Sequence, residues 1–593
     1  MIYNSKDLKE MASVVRAWAL HALRCAKNGH VGIVLGAADV VTTVFANCMQ
    51  FGRDKFIMSA GHGSALLYSV LNLIGCDIRS LGSFRKLDGL PGHPEFGIDG
   101  VDATTGPLGQ GIGNAVGIAL AEKLRDSDGY VYCLCSDGDL MEGVAQESIA
   151  FAGRYNLNNL VLIWDDNGVS IDGVALTDID VQGRMVAAGW NVISVPGDDF
   201  TKINRALSGA KKSGMPTFIQ CKTKIGAGSS LAGSNRVHGY ALDDAEMADL
   251  IEKNISAHGE MLWADVARKR IDVLIANPSM DVSGVKMPDV PEFISTRELS
   301  GLYINEILRS GYPIFGGSAD LGTSTNSHVS SSVDVVPGKW NGNYINYGVR
   351  EHAMAAIMNG IASVGLRAYG STFLVFSDYM RPSMRLAALS GLPVIYVLTH
   401  DGISVGEDGP THQPVEQLAS LRMMPNMNVF RPCNATEVAV AWQMALRDNN
   451  SPSCIVLSRQ KFQQISTPVD AHVARGAYVI RPAMTKRVRA TIIATGAEVS
   501  LAVAVAEKLG AGIQVVSMPS VGHFKRQCPE YQAEILRGFV VAIEAGVTAP
   551  WFEFADAVVG VDDFGMSGPG DQVYARYGFD ADKIANDLKH KIK

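Results

Sequence analysis

The sequence predicts an α/β protein made of three consecutive α/β regions. Short apolar runs alternate with helix-period segments along most of the chain, the pattern of strands joined by crossover helices. The chain has 593 residues, enough for several cores at about 150 residues per domain. Hydrophobic residues make up 47% and charged residues 19%, a globular composition that excludes a disordered chain.

The elements follow in order. YVYCLC (130–135) reads as a strand, GVAQESIAFAGRYNL (143–157) as a helix and LVLIW (160–164) as a second strand. Together they form a β-α-β unit, whose strands are parallel. PIFGGSAD (313–320), LPVIYVLTH (392–400) and SCIVLSRQ (453–460) read as strands, with the helical segment GVREHAMAAIMNGIASVG (348–365) among them. ATIIATG (490–496), EVSLAVAVAEKLG (498–510) and IQVVSM (513–518) give strand, helix and strand. Residues 240–295 lack a strand pattern and end in the Pro-bearing run NPSMDVSGVKMPDVPEF (277–293), which reads as a helical connector and linker. A second boundary falls around STPVDAHVARG, at 465–475. The expected domains are 1–275, 290–468 and 475–593.

Net charge is −8 and pI near 5.9, so no basic face marks a nucleic-acid partner. None of the nine cysteines forms CxxC, and most read as buried small hydrophobes in a reducing compartment. Cys133 and Cys135 share one face of a strand, where they cannot easily pair. The N-terminal segment has no signal-peptide core. No uninterrupted apolar run reaches about 18 residues, so no membrane span is expected. A cytoplasmic protein is expected.

The strand YVYCLC ends in Ser136-Asp137-Gly138-Asp139, and LVLIW ends in Asp165-Asp166-Asn167-Gly168. Ligands of open parallel sheets bind beyond the carboxyl ends of strands, so both ends present oxygen ligands to one crevice. Carboxylate and amide oxygens suit Mg²⁺ or Ca²⁺, not zinc, and phosphate oxygens and water complete such shells. Upstream, TTGPLGQGIGNAVG (104–117) places five glycines before a helix, where backbone N–H groups can face an anion. The spacing is not GxGxxG, so it is not a dinucleotide fingerprint.

Asp137-Gly138 followed by Asn167 resembles the thiamine-diphosphate fingerprint, with Ser136 where that motif normally has Gly. TTGPLGQG is similar to the transketolase segment at the same relative place. The similarity continues in one order through NGHVG (28–32), SAGHGSALLYS (59–69), LPGHPE (90–95), YGVREHAM (347–354), GSTFLVF (370–376), GEDGPTHQP (406–414) and LSRQ (457–460). The chain resembles the transketolases over nearly its whole length. The resemblance implies two thiamine-diphosphate-binding-fold domains with mainly parallel sheets and a smaller C-terminal α/β domain. It implies transfer of a two-carbon ketol unit from a ketose phosphate to an aldose phosphate in the pentose phosphate pathway. It also implies thiamine diphosphate and Mg²⁺ (Ca²⁺ or Mn²⁺ as alternatives), and a homodimer with active sites at its interface.

By the same resemblance, Glu351 hydrogen-bonds the pyrimidine ring of the cofactor and activates it. Phe373, Phe376 and Tyr379 match its aromatic pocket, although their spacing alone would more often mean core. Asp137, Asn167 and the backbone carbonyl of Val169 match the metal ligands. His62, Gly106, Leu108 and Gly138 match cofactor contacts, and Glu142 an acid at the subunit interface. Asn167, His238 and Asp320 also count among the cofactor neighbours, with Asp320 near the substrate. His30, His93, His238 and His412 line the reacting centre, and Asp408 recognises a sugar hydroxyl. Arg297, Ser324, His400 and Arg459 form a phosphate clamp, since two guanidinium forks, a hydroxyl and an imidazole suit a dianion. His21, His258, His472, His523 and His590 match no motif. The family often has Gly-His-Asp where this chain has Gly197-Asp198-Asp199. Dihydroxyacetone synthase and 1-deoxyxylulose-5-phosphate synthase are the neighbouring alternatives. GVREHAM with GEDGPTHQP argues against the second, and Glu351, Asp137, Asn167 and the histidines argue against a catalytically dead homologue.

Overall fold

The computed structural model describes residues 3–269 and 279–592. The chain divides into two compact units, one of Met1–Ala276 with Val336–Asn341 and Ala356–Gly365, the other of Asn277–Val335, Gly342–Ala355 and Leu366–Lys593.

The first unit is built on a five-stranded sheet: β1 (Lys55–Met58), β2 (Val131–Ser136), β3 (Leu160–Asp166), β4 (Asn191–Pro196) and β5 (Thr217–Lys222). Its order is β1-β2-β3-β5-β4 and every pairing is parallel. Such sheets are covered on both faces, which is why β2 and β3 read as continuous apolar runs. All of β2 is buried. Register pairs Val131 with Leu160 and Ser136 with Asp165, so the two strand ends lie side by side. The helix Ser5–Ala26 begins with a capping box in which Asn4 accepts from the Lys6 and Asp7 amides. The helical run Val31–Cys48 belongs to the core of this unit. At 18 residues and mean hydropathy 1.7 it is long and apolar enough to cross a bilayer, yet 83% of it is buried inside the fold. Its one acid, Asp39, pairs with Arg16 at 2.9 Å.

The second unit holds two large sheets and a small antiparallel pair, Phe293–Ile294 with Phe462–Gln463. The first comprises β6 (Ile314–Ser318), β7 (Tyr344–Asn346), β8 (Arg367–Phe373), β9 (Ile395–Thr399), β10 (Asn428–Phe430) and β11 (Ser453–Leu457), in the parallel order β7-β6-β8-β9-β11-β10. Register aligns Ser318 with Ser371, Phe373 with Thr399 and Thr399 with Leu457. The chain therefore leaves β6, β8, β9 and β11 along one edge, just before Asp320, Leu374, His400 and Arg459. The second sheet comprises β12 (Tyr478–Arg481), β13 (Ala490–Ala494), β14 (Ile513–Ser517), β15 (Phe539–Ile543) and β16 (Ala557–Val559), ordered β12-β14-β13-β15-β16. Only β12 runs antiparallel. Residues 279–293 of the Pro-bearing run are stitched down: Val282 and Val285 are buried against Tyr303 and Trp442, and the Tyr303 hydroxyl donates to the Val285 carbonyl. Residues 277–278 of that run lie outside the described residues. All nine cysteines are free thiols, with Cys25 and Cys528 exposed.

Candidate active site

In the first unit, the ends of β2 and β3 meet the glycine loop before the helix Gln110–Leu124. They enclose a cavity of about 340 Å³ lined by His30, His62, His93, His238, Asp137 and Asn167 among others. Four carboxylates crowd these strand ends, and three are already satisfied. Asp139 accepts from Ser59 Oγ at 2.6 Å, the Gly109 amide at 2.7 Å, and the Ser136 amide and hydroxyl at 2.9 Å each. Asp165 accepts from Thr223 Oγ1 at 2.5 Å and from Asn167 Nδ2 at 3.1 Å. Asp166 accepts from Gln220 Nε2 at 2.6 Å. Asp137 alone has both oxygens buried with no hydrogen bond. Burial, then the charges of Asp165 and Asp166, push it up to about 7, a shift that the nearby Trp164 indole and Gly168 amide offset only partly. A buried carboxylate left unpaired is costly unless a cation meets it. Asn167 and Val169 reach the same cavity, and Asp165 fixes which way the Asn167 amide faces. The residues therefore fit a divalent cation with few protein ligands. Among the described residues no trio of His, Cys, Asp or Glu forms a metal cage, as expected when phosphate and water supply the other ligands.

Gly106 holds φ at 134°, and a Cβ there would lie 3.3 Å from the His93 ring. Only glycine suits both constraints. The four histidines form a cluster: His30 lies 5.3 Å from His62 and 5.5 Å from His238 between ring centroids, and His62 stacks on His238 at 5.2 Å. His93 stands 6.2 Å from His30. Burial, then Arg85, His238 and His93, lower His30 to about 4. Burial first, and then the neighbouring histidines, hold His62 well below its ordinary value. Burial chiefly lowers His93, and burial alone His238. Near pH 7 the four rings are neutral, each with one donor and one acceptor nitrogen. Sequence reasoning missed Arg85. Its guanidinium stands 3.4 Å from His30 Nδ1; because a guanidinium only donates, the proton of His30 sits on Nε2.

In the second unit, Glu351 opens the helix Glu351–Ser363 and is buried. Thr372 Oγ1 donates to its Oε1 at 3.1 Å, but burial dominates and raises its pKa. Thr372 was also missed; as one more polar residue in a strand, it carries no signal in the sequence. Phe373 stacks on Phe376 at 5.7 Å, and Tyr379 meets Phe376 edge-on at 6.1 Å. Tyr379 is 66% exposed, so its ring is only half packed within its own unit. His412 faces Phe376 at 5.2 Å, and His400 stacks on Phe373 at 3.7 Å. Arg297 donates to the Ser324 carbonyl, and its Nε is buried without a partner. Burial, then the charges of Arg297, Arg459 and His412, lower His400 to about 3, so it is a neutral imidazole between two cations. Neither Arg297 nor Arg459 has a carboxylate ion-pair partner among the described residues, where Glu298 pairs with Lys461 instead. The structure thus brings Arg297, Ser324, His400 and Arg459 to one edge of the sheet. Asp320, Asp408 and Arg459 are exposed.

Comparison with known proteins decides the family. The model for "Transketolase, thiamine diphosphate binding domain" matches residues 8–258. The pyrimidine binding domain model matches 292–464, and the transketolase-like C-terminal domain model 476–580. The chain belongs to the transketolase family. It is 39% identical to the transketolase of Rhodobacter capsulatus, over 98% of each chain. To that of Geobacillus stearothermophilus it is also 39% identical, over 98% of this chain and 99% of the other. Among solved structures, Campylobacter jejuni transketolase superposes with a TM-score of 0.93 at 36% identity, covering 99% of this chain and 100% of that one. Pichia stipitis transketolase in complex with sedoheptulose-7-phosphate gives 0.91 at 34% identity, over 99% and 98%.

This transketolase is a thiamine-diphosphate-dependent enzyme with three α/β domains, as its sequence implies. Glu142 is exposed between the helices Asp137–Met141 and Gly143–Tyr155. In this transketolase Asp199 caps the helix Phe200–Ala210 and Asp198 is exposed, so Asp198 adds nothing to the histidine cluster.

Proposed function

We propose that this enzyme takes a two-carbon ketol unit from a ketose phosphate such as xylulose 5-phosphate and gives it to an aldose phosphate such as ribose 5-phosphate or erythrose 4-phosphate. The observation that carries the phosphate is the pair Arg297 and Arg459, uncompensated by any carboxylate partner among the described residues and facing His400. A cluster of cations with unspent donors is built for a dianion. The complexes of Pichia stipitis transketolase with sugar phosphates support the same substrate class.

Asp137, Asn167 and the Val169 carbonyl would hold Mg²⁺, or Ca²⁺ or Mn²⁺, leaving its other positions to diphosphate oxygens and water. Thiamine diphosphate, when bound, supplies the electron sink for cleaving and forming the carbon–carbon bond. His62, Gly106, Leu108 and Gly138 would contact its diphosphate side, and Phe373, Phe376 and Tyr379 its pyrimidine side. Glu351, whose burial favours the protonated carboxyl, would hold a proton at the pyrimidine nitrogen. His30 and His238, with His93 beside them, would carry the proton of the donor hydroxyl, and neutrality suits them to both halves of that task. His412 would serve the acceptor carbonyl oxygen, and Asp408 would read a sugar hydroxyl.

We read the active form as a homodimer in which one subunit supplies the diphosphate half and its partner the pyrimidine half. Exposed apolar side chains support this: Ile171, Val174, Leu176 and Ile179 in the first unit, Val349, Tyr379 and Leu389 in the second. Apolar surface of this kind marks interfaces. The cysteines, free and mostly buried, suit a reducing cytoplasm.

The test is Arg459→Ala assayed with two donors. The Michaelis constant for the ketose phosphate should rise roughly tenfold to a hundredfold, while that for unphosphorylated hydroxypyruvate stays within about twofold. Equal loss with both donors would refute the phosphate assignment.

A further inference from the structure

The crevice beyond the carboxyl ends of a doubly wound sheet, where the strand order reverses, is where such sheets bind ligands. In the C-terminal sheet that point lies at β13, flanked by β14 and β15. Here it is filled by a side chain from outside the sheet, Arg431, which follows β10 and is fully buried. Arg431 Nε donates to Asp401 Oδ2 at 2.9 Å, and its Nη1 to Thr495 Oγ1 at 3.0 Å and to Glu498. Glu544 Oε1 stands 3.6 Å from the same nitrogen and accepts from Thr495 Oγ1 at 2.5 Å. Glu544 also takes a bidentate pair from Arg422 at 2.7 Å and a bond from the Trp551 indole at 2.8 Å. The backbone joins in: Arg431 donates to the Pro519 carbonyl at 2.8 Å and accepts from the Gly496 amide at 3.0 Å. Gly496, at φ 52°, leaves room that a Cβ would close, since it would sit 2.9 Å from Arg431 Cγ.

Buried ion networks are poor sources of stability but good devices for fixing one arrangement. What this one fixes is a turn of the substrate site. Asp401 directly follows His400, whose φ of 62° is a left-handed conformation uncommon for residues other than Gly, although His adopts it more readily than most. Such a conformation persists only where its surroundings determine it. Thr399 Oγ1 lies 2.7 Å from His400 Nδ1 and Phe373 stacks on the ring, while the next residue, Asp401, is anchored by its side chain to Arg431. The next loop, bearing Asp408 and His412, rests on the same domain. Gln413 Nε2 donates to the Gly406 carbonyl at 2.9 Å and to the Met566 carbonyl at 3.0 Å. Tyr574 closes the ring of contacts by donating to Glu498 Oε1 at 2.6 Å.

We propose that Asp401, Arg431, Glu498 and Glu544 are positioning residues for phosphate recognition, through which the C-terminal domain holds the His400 turn in its binding conformation. The C-terminal domain is then an instrument of substrate selection. This rests on His400 belonging to the phosphate clamp.

The experiment is a double-mutant cycle of Asp401→Asn with His400→Ala, read as Michaelis constants for a ketose phosphate and for hydroxypyruvate. Glu498→Gln, remote from the sugar and isosteric, is run in parallel in case Asp401→Asn fails to fold. Either positioning variant should raise the ketose phosphate constant about tenfold, with kcat and the hydroxypyruvate constant within about twofold. In the His400→Ala background Asp401→Asn should add less than about twofold, because it acts through a group already gone. A merely structural network would lower the unfolding temperature and leave the ratio of the two constants unmoved, which would overturn the proposal. Additive effects in the cycle would also overturn it. If His400→Ala leaves the ratio unchanged, His400 is not in the clamp and the proposal falls with it; Arg459→Ala shows separately whether the clamp itself survives.

Discussion

At the scale of single residues, the site is decided by which polar groups are left unspent. Asp137, Asp139, Asp165 and Asp166 look alike in the sequence, two at each strand end. Their partners separate them, and those partners are remote: Ser59 lies 80 residues from Asp139, and Thr223 58 from Asp165. The sequence therefore showed a group of oxygen ligands beside one crevice, and the resemblance singled out Asp137, but no spacing argument could show that Asp139 is an internal organiser. Arg85 and Thr372 were illegible for the same reason. Each matters through one contact made in the fold. Glu351 gives the clearest prediction at this scale. Its carboxyl is raised by burial, and Thr372 stabilises the charged form only in part. Glu351→Gln keeps size and hydrogen bonding but loses the exchangeable proton. Turnover and the rate of thiazolium proton exchange should both fall by about 10²–10⁴-fold, the usual worth of general acid–base groups. Wild-type proton exchange in the variant would remove Glu351 from that role.

At the scale of elements, parallel strands explain what was legible. Strands buried on both faces are written as unbroken apolar runs, and β2, β3, β9, β11, β13 and β14 were read from them to within two or three residues at either end. The weaker strands β1, β4, β5, β7 and β10 carry polar or Gly/Pro neighbours and gave no such signal. The run at 277–293 read as a linker because its prolines break periodicity; its packing comes instead from isolated Val282 and Val285. The glycine loop shows how one element is set by another, since Asp139 ties the Gly109 amide to β2 and Ser59. Asp139→Asn turns one acceptor oxygen into a donor facing donors. It should cost about 1–3 kcal/mol in urea unfolding and weaken thiamine diphosphate binding, because the loop loses its anchor. Unaltered cofactor affinity in a titration would show that the loop is held by other means.

At the scale of the molecule, the chain carries two groups of candidate site residues, one on each of two compact units. One holds the oxygen ligands and neutral histidines, the other Glu351, the aromatic rings and the phosphate clamp. The exposed apolar side chains around residues 171–179 and at Val349, Tyr379 and Leu389 call for a partner surface. The homodimer proposed above would answer both needs, each catalytic centre then being shared between subunits. The most direct measurement is complementation. Asp137→Ala and Glu351→Gln are each prepared as inactive homodimers, then mixed under conditions that exchange subunits. If one subunit supplies the diphosphate half and its partner the pyrimidine half, every mixed dimer holds one doubly damaged site and one intact site. Random exchange should then restore about one quarter of wild-type activity. A mixture that exchanges subunits yet stays as inactive as its parents would mean that each centre is built within one chain, and would contradict the account.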